Sequence, residues 1–398
     1  MLLTNKKILL GITGSIAAYK SILLLRLLIK EGAEVRVVMT PASKDFVSPL
    51  VLSVLSKNKV IIEWHGEYEW NNHVDLGRWA DLFVIAPLTC NTLSKMVHGG
   101  CDNVLLASYL SAICPVLVVP AMDEDMWHNR ATQKNMALLN EYGVNSLKVR
   151  SGELASGLHG QGRMAEPEEI FTHIVETFFR GTTLQGKKVL VTAGPTYEPL
   201  DPVRYIGNRS SGKMGFALAE AFYMQGAEVL LVSGPSKEET RFQGVKVSRV
   251  GTAEEMFEAC LVNQDADIVV MSAAVADYRP ASASEQKIKK TGEELSLELI
   301  KNKDILGYFG EHKKSGHMLV GFALETENEK ENAFQKLRKK HLDLIVLNSL
   351  NDIGAGFEKD TNKVSLIHAK GIVELPLQSK KELAGEIVSY LINKMNLL

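Results

Sequence analysis

Short apolar runs bounded by glycine and polar residues recur along the chain, and the most regular of them come in pairs. KKILLGITGS, from Lys6, leads through an apolar stretch of helical period to EGAEVRVVMTPAS; KKVLVTAGPT, from Lys187, leads through another to QGAEVLLVSGPS. ADLFVIAP (Ala80 to Pro87) and ADIVVMSAA (Ala266 to Ala274) repeat the theme later in each half. Runs this short, apolar throughout, suit strands buried on both faces of a parallel sheet, and strand, loop, helix, strand is the unit of doubly wound folds. The pattern predicts an α/β protein of two doubly wound, mainly parallel, Rossmann-like domains. EEIFTHIVETFF (Glu168 to Phe179) predicts a helix closing the first. The polar run Arg180 to Gly186 predicts the junction, placed at residue 182, which gives domains 1–182 and 183–398.

The length of 398 residues fits two domains with a core each, and 45% apolar with 23% charged residues excludes a disordered or fibrous chain. Lys plus Arg number 45 against 47 Asp plus Glu, a net charge of −2, so no overall positive field invites nucleic acid and any anion site must be local. No run reaches the roughly 18 apolar residues of a membrane span, and the opening segment lacks the pattern of a secretion signal. Cys90, Cys101, Cys114 and Cys260 form no CxxC pair. A reduced cytoplasm is the expected setting.

Ligands of open parallel sheets bind beyond the carboxyl ends of the strands, so the loops there are where chemistry is sought. In Gly11 to Lys20, Gly14 allows a tight turn and Ser15 can cap the helix that follows. Alone, this turn reads either as structural punctuation or as an anion cradle, and it lacks GxGxxG spacing. His73 in NNHVDLGRWAD, the loop PLTCNT (Pro87 to Thr92) and the loop PAMDEDMW (Pro120 to Trp127) follow in order. Together these segments resemble the flavin-containing cysteine decarboxylases over about residues 6–180. The resemblance implies a flavodoxin-like flavoprotein domain in which Gly14, Ser15, Ile16, Thr40, Thr89 and Asn91 hold FMN and Asp123 and Met126 meet the substrate. It also makes His73 the acid/base, a task imidazole suits near neutral pH. In that family, oxidation of a cysteine moiety to a thioaldehyde by FMN makes loss of CO2 feasible, and the electrons are then returned.

Two positions depart from the family. Asp123 stands where it usually has Asn, and an ionised carboxylate there repels the substrate's own, which calls for a proton or a shifted pose. In the clamp Ser151 to Met164, Ser156 replaces a cysteine that helps complete the final reduction; serine cannot exchange redox equivalents, leaving His159 or a water to supply the proton.

In the second half, a glycine-proline turn after a strand leads through a proline-rich loop to Asn208, Arg209, Ser210, Ser211, Gly212 and Lys213, then to the helix GFALAEAFYMQG. This gathers polar groups at a helix start without P-loop spacing, and as an isolated string reads equally as a capped helix or a substrate site. With Ala273 to Tyr278 (AAVADY) and Lys287 to Lys290 (KIKK), it resembles the phosphopantothenate–cysteine ligase domain of bacterial bifunctional coenzyme A biosynthesis proteins, over about 187–392. The resemblance implies attack of the phosphopantothenate carboxylate on a nucleotide, CTP by analogy with bacterial members, followed by attack of cysteine on the acyl-cytidylate. Asn208 then holds the activated carbonyl and Arg209 the substrate, while Lys287, beside Lys289 and Lys290, supplies positive charge. Asp277 binds Mg²⁺ (Mn²⁺ as the alternative) or ribose. Ala273, Asp277, Lys287, Lys303, Asp304, Ile305, Leu306, Phe322, Lys336 and Lys340 line the nucleotide pocket, Lys303 standing where proline is usual. On spacing alone, Lys336 and Lys340 share a solvent-exposed helix face and KIKK is a solvated loop.

The implied enzyme ligates 4′-phosphopantothenate to cysteine in its second half and decarboxylates the product, 4′-phosphopantothenoylcysteine, to 4′-phosphopantetheine in its first. Family analogy adds a homo-oligomer with trimeric contacts through the flavin domain and dimeric contacts through the ligase domain, up to a dodecamer, and no nucleic-acid or membrane partner. The rival readings are a ligase whose flavoprotein half is only an oligomeric scaffold, and a nicotinamide oxidoreductase, which the glycine spacing does not support.

Overall fold

The computed structural model describes residues 1–65, 72–289, 295–325, 327–349 and 359–395. The chain divides into two compact units, Met1–Phe179 and Arg180–Leu398.

In the first unit, β1 (Lys7–Ile12), α1 (Tyr19–Lys30), β2 (Glu34–Met39), α2 (Pro49–Ser56), α3 (His73–Trp79), β3 (Leu82–Leu88), α4 (Cys90–Val97), α5 (Val104–Leu110) and β4 (Val116–Pro120) succeed one another. Then come α6 (Glu124–His128), α7 (Arg130–Glu141), β5 (Asn145–Ser146), a ribbon of β6 (Arg150–Glu153) and β7 (His159–Arg163), and α8 (Pro167–Ile174). The main sheet runs β2-β1-β3-β4-β5, all parallel, with Leu9 of β1 between Arg36 and Phe83. Every residue of β3 is buried, as a central strand covered on both faces requires. Leu9, Phe83, Ile85 and Val118 pack with Leu76, Leu93, Leu105 and Leu139 from the helices, each such side chain contributing about 1.5–3 kcal/mol by leaving water. The chain leaves β1 first to one side and later returns to its other side, so the loops after β1 and β3 diverge and a crevice opens between them.

In the second unit, β8 (Lys188–Ala193) is followed by a hairpin of β9 (Tyr197–Pro199) and β10 (Tyr205–Gly207), then α9 (Lys213–Met224), β11 (Glu228–Ser233), β12 (Lys246–Arg249), α10 (Ala253–Leu261), β13 (Ile268–Met271) and a ribbon of β14 (Tyr278–Pro280) with β15 (Leu299–Lys301). After these come α11 (Ile305–Glu311), β16 (Met318–Glu325), α12 (Glu329–Lys339), β17 (Leu344–Ser349), β18 (Thr361–His368), β19 (Gly371–Ser379) and α13 (Lys380–Met395). The sheet order is β12-β11-β8-β13-β16-β17-β18-β19. The first six strands in that order are parallel, and β18 and β19 join antiparallel at one edge.

Three details differ from the sequence pattern. The helix expected to reach Phe179 is regular only to Ile174, and Val175–Phe179 winds as a wider π turn. The polar run Arg180 to Gly186 is no free tether: Gly181 and Leu184 amides donate to Met224 and Gln225 carbonyls at 2.7 Å, and Leu184 is buried. The Arg180 guanidinium lies 4.0 Å over the Tyr223 ring, so its stem and one apolar residue suffice to dock the segment. The β18–β19 pair follows its own alternation of buried and partly exposed positions along β18, the sign of an antiparallel strand that the two-fold echo does not include.

Candidate functional site

Beyond the carboxyl ends of β1, β2 and β3 lies a cavity of about 500 Å³ lined by Gly14, Ser15, Thr40, Thr89, Asn91 and Met126. Ser15 Oγ accepts the Ala17 amide at 3.3 Å and starts a 3₁₀ turn, Ile16–Ala18, that runs on into α1. The first amides of such a start have no partner within the helix and carry partial positive charge. Gly14 has no left-handed φ; what it permits is close approach, since a Cβ there would stand 3.0 Å from the Cβ of Ala42 and 3.2 Å from its carbonyl carbon. Thr13, fully buried, donates to the Pro87 carbonyl at 2.7 Å and accepts the Thr89 amide at 3.2 Å, tying the two loops together. Among the described residues, Thr40 Oγ1 is buried and has no hydrogen-bond partner. An orphaned hydroxyl beside helix-start amides suits a phosphate or a sugar-like chain, so these residues fit the mononucleotide flavin the sequence implies.

A second cavity, about 480 Å³, shares Ser15, Ala121 and Met122 with the first and adds Ile16, Lys20 and Asp123. The β6–β7 ribbon closes over the loop beside it. Met122 N–H donates to the Gly162 carbonyl at 3.0 Å, and Gly162, at a φ of +133° where a Cβ would run into the Met122 carbonyl oxygen, needs to be glycine. Asp123 Oδ1 accepts the Glu124 amide at 2.8 Å and so caps α6. Lys20, 3% exposed, donates to the Met164 carbonyl and to Glu166, both at 2.9 Å, and holds the Glu166 carboxyl below its ordinary value.

His73 lines neither cavity. It opens α3 behind the Asn72 cap, and its ring meets Trp64 edge-on with centroids 5.6 Å apart. Ser156 is exposed at the ribbon's tip, while its neighbours Leu154 and Ala155 line the second cavity. One chain therefore gathers the expected flavin residues and leaves the histidine and the serine outside the cleft.

In the second unit the loops after β8, β10 and β13 are sewn together. Asn208 donates its amide to the Ala274 and Val275 carbonyls at 3.1 Å each, Ala273 N–H donates to Thr192 Oγ1 at 3.1 Å, and Ala276 N–H to Thr196 Oγ1 at 3.0 Å. Both donors of Asn208 are thus committed to backbone, and a substrate carbonyl has to displace one. Gly212, at a φ of +84°, starts α9, and Lys213 pairs with Asp360 at 2.6 Å; Arg209 and Asp277 are exposed.

A second cluster joins β16, α11 and α12. Lys336 Nζ donates to the Phe322 carbonyl at 3.2 Å, Lys340 Nζ to Asp304 at 2.8 Å, and Asp304 accepts the Gly307 amide at 2.9 Å. Burial pushes the Lys336 ammonium below the ordinary lysine value; Lys340 adds to this, and Glu325, Asp304 and Asp277 oppose it. Burial also works to raise Asp304, but the hydrogen bonds from Lys340 and Gly307 outweigh it and hold the carboxyl below its usual range. Asn302 links this cluster to the first: its amide donates to the Ala276 carbonyl at 2.8 Å and its N–H to the Asp277 carbonyl at 2.9 Å.

The rest of the expected nucleotide set is dispersed. Lys303 turns away, to Glu254 at 2.6 Å and over the Phe257 ring at 4.8 Å. Ile305 is buried in the core and Leu306 packs on it, so a nucleotide contact from either runs through backbone. Lys287 and Lys289 are exposed on the coil after β14, and Lys290 lies outside the described residues. A cavity of about 570 Å³ at the amino ends of β8, β11 and β12 takes in none of these residues. Among the described residues no three His, Cys, Asp or Glu side chains form a metal-ligand group, and no helix is long and apolar enough to cross a membrane. Sequence reading missed Thr13, Lys20 and Asn302 as site-builders; the first two lie within the Gly11 to Lys20 neighbourhood and the third beside Lys303, so adjacency was the available signal.

Residues 2–179 match the Flavoprotein family model, and residues 184–395 match the model of the DNA/pantothenate metabolism flavoprotein C-terminal domain. A cysteine/cysteine sulfinic acid decarboxylase from an unknown prokaryotic organism is 47% identical over 350 residues, covering 86% of this chain and 98% of its own. The coenzyme A biosynthesis bifunctional protein CoaBC of Haemophilus influenzae is 44% identical over 398 residues, 99% of each chain. A crystal structure of the C-terminal domain of a coenzyme A biosynthesis bifunctional protein CoaBC is 41% identical, with a TM-score of 0.47, and covers 54% of this chain and 99% of that one.

Proposed function

The chain belongs to the family of coenzyme A biosynthesis bifunctional proteins, and from that membership we propose how its two halves divide the work. It is an enzyme of coenzyme A biosynthesis with decarboxylase and ligase activities. Residues 183–398 join 4′-phosphopantothenate to cysteine with CTP; residues 1–182 decarboxylate the resulting 4′-phosphopantothenoylcysteine to 4′-phosphopantetheine with FMN. The setting is the cytoplasm.

A carboxylate resists attack by an amine because its oxygen leaves poorly. In the ligase half, a carboxylate oxygen of phosphopantothenate attacks the α-phosphorus of CTP and the bond to pyrophosphate breaks. The cysteine amine then attacks the acyl carbon, CMP leaves, and the amine proton passes to solvent. Lys287, with Lys336 and Lys340 beside Phe322 and Asp304, holds the nucleotide by charge. Asn208 gives up one of its backbone bonds to hold the acyl carbonyl, and Arg209 meets the substrate. Mg²⁺ would be held chiefly by the phosphates, with the exposed carboxylate of Asp277 as a protein ligand.

In the flavin half, the amides around Ser15 and Ile16 and the Thr40 hydroxyl hold the phosphate end of FMN, and Thr89 and Asn91 face its remainder. Bound FMN supplies a reversible two-electron acceptor, which lets the substrate's thiol-bearing carbon reach the thioaldehyde level from which CO2 can leave. Asp123 and Met126 position the substrate and His73 moves the proton. A second copy supplies His73, in a homo-oligomer with trimeric contacts through the first unit and dimeric ones through the second; that His73 lines neither of the two cavities above supports this. With serine at position 156, the last proton comes from His159 or a water.

The observation that carries this reading is the convergence of the loops after β1, β2 and β3 on one cavity in which the Thr40 hydroxyl has no partner among the described residues. The test is a coupled assay with CTP, Mg²⁺, cysteine and phosphopantothenate, scoring pyrophosphate, CO2 and every pantetheine species, with free cysteine and cysteine sulfinate as rival decarboxylation substrates. CO2 from the ligated product is expected. CO2 from the free amino acids alone would place the flavin half with the cysteine sulfinic acid decarboxylase relative, and pyrophosphate without CO2 would leave it a scaffold.

A further inference from the structure

The tip of the β9–β10 hairpin holds a carboxylate that no step above uses. Asp201 is 3% exposed and ringed by donors. Its Oδ1 accepts the Val203 and Arg204 amides at 2.8 and 2.9 Å; its Oδ2 accepts Arg204 Nε at 2.9 Å, Arg204 Nη2 at 2.6 Å and the Ile288 amide at 3.2 Å. Arg204 Nη2 also donates to the Ile288 carbonyl at 2.9 Å, and the Ser284 amide donates to the Leu200 carbonyl at 2.9 Å. The bonds to Val203 and Arg204 are all that a local Asx turn needs. Those to Ile288 serve no purpose in the hairpin: a buried carboxylate and its partly exposed arginine partner grip both backbone groups of a single residue 87 positions beyond the aspartate in sequence, on a coil otherwise largely exposed. Ile288 stands between Lys287 and Lys289.

We propose that Asp201, acting through Arg204, is a positioning residue of the ligase reaction: the pair fixes the coil 284–289 so that Lys287 is held at the nucleotide's phosphates. The inference rests on the role given to Lys287 above. A lysine on a free coil loses rotational and backbone freedom each time it engages a phosphate; a coil already pinned at the next residue has lost much of it beforehand. The outgoing strand of the same hairpin, β10, ends directly before Asn208, whose amide is anchored on Ala274 and Val275. One hairpin therefore sets both the carbonyl-holding amide and the phosphate-holding lysine. Arginine suits the clip, because its rigid fork sets Nε and Nη2 on the Asp201 carboxylate while Nη2 also meets the Ile288 carbonyl.

The test uses full-length protein and three readouts: hydrogen exchange of the Ile288 amide, ligase kcat/KM by pyrophosphate release, and decarboxylation of supplied 4′-phosphopantothenoylcysteine as a control in the same chain. Asp201→Asn keeps the volume but puts an amide where donors converge. It should speed exchange at Ile288 at least about tenfold and lower ligase kcat/KM by about 10–100-fold, leaving decarboxylation unchanged. Introduced into Lys287→Gln it should cost less than about twofold more, because residues acting as a unit are not additive. Arg204→Lys should act in the same direction and serves if Asp201→Asn does not fold. Unchanged exchange at Ile288 overturns the clip. A full further loss in the Lys287→Gln background, or an equal loss of decarboxylation, overturns the positioning role. Lys287→Gln that releases pyrophosphate at the parental rate refutes the role of Lys287 itself and with it the catalytic purpose of the clip, and exchange at Ile288 then decides the clip alone.

Discussion

In the first unit the candidate site is a cleft walled mainly by glycine, hydroxyl, amide and thioether groups, its Lys95 and Asp102 paired with each other, with helix-start amides at one end and one buried hydroxyl that has no partner among the described residues. In the second it is an array of charges that satisfy one another: Lys340 on Asp304, Lys213 on Asp360, and Lys336 on a backbone carbonyl. A cleft walled mainly by uncharged groups selects by shape and directed hydrogen bonds, and is ready before its ligand arrives. A charged array has to be opened by the ligand, and its exposed pairs, worth about 0–1 kcal/mol each, give way at little cost. The first arrangement suits a resident cofactor and the second a cosubstrate that comes and goes each cycle.

The largest effect that bears on this contrast is at His73. If the cleft holds the flavin without the histidine, His73→Asn should cut decarboxylation about 10³-fold, within the range for lost acid/base catalysis. The protein should stay as yellow as the parent and keep its ligase rate. Absorbance of the purified variant and CO2 release check both halves, and loss of the yellow colour would mean that the imidazole belongs to the flavin site after all.

Asn208→Asp tests the other site. The substitution turns two donated bonds to Ala274 and Val275 into repulsion between a carboxylate and two carbonyls, and repels the incoming substrate carboxylate as well. Ligase kcat/KM should fall about 10²-fold, as for loss of a donor that faces developing charge. Decarboxylation of supplied 4′-phosphopantothenoylcysteine should not change. An equal fall in both activities, measured in the same preparation, would remove the independence of the two sites.

Thr40→Val gives smaller effects of opposite sign. Exchanging an unpaired buried hydroxyl for a methyl should stabilise the flavin-free protein by about 1 kcal/mol in urea unfolding. Flavin affinity, from fluorescence titration, should weaken about tenfold for one lost hydrogen bond to a charged group. Stabilisation with unaltered flavin affinity would show that the hydroxyl is an orphan without a ligand.

What could be read along the chain and what could not follow from one physical distinction. The Gly14–Ser15 turn and Thr89 lie within three residues of a strand's end, and Asn91 in the first turn of the helix that Thr89 caps, so a contiguous run of apolar residues followed by small or polar ones marks them. Thr13 acts on a loop 74 residues away and Lys20 on a carbonyl 144 residues away. A threonine just past a strand or a lysine early in a helix bears no local mark of such a bond. Lys336 and Lys340 show the intermediate case: their i,i+4 spacing identifies a shared face, and only the packing of α12 against β16 and α11 turns that face from a solvated one into a half-buried one. That His73 lines neither cavity of the first unit depends on where β3 and α3 carry it, which no local pattern around it encodes.

The smallest predicted effect also separates function from stability. Because burial depresses Lys336, its ammonium loses its proton at a lower pH than an exposed lysine does. If the charged form holds the nucleotide, ligase kcat/KM should decline on the alkaline side earlier than an ordinary lysine allows, and Lys336→Arg, which stays protonated, should remove that limb while decarboxylation keeps its profile. Stability runs the other way. Between the depressed folded value and the ordinary value of the unfolded chain, the unfolded state binds more protons, so this residue makes the second unit more stable as pH rises through that window. Activity falling while the unfolding midpoint rises, with both trends lost in Lys336→Arg, would assign the limb to this residue. A limb that survives the substitution would assign it to another group of the charged array.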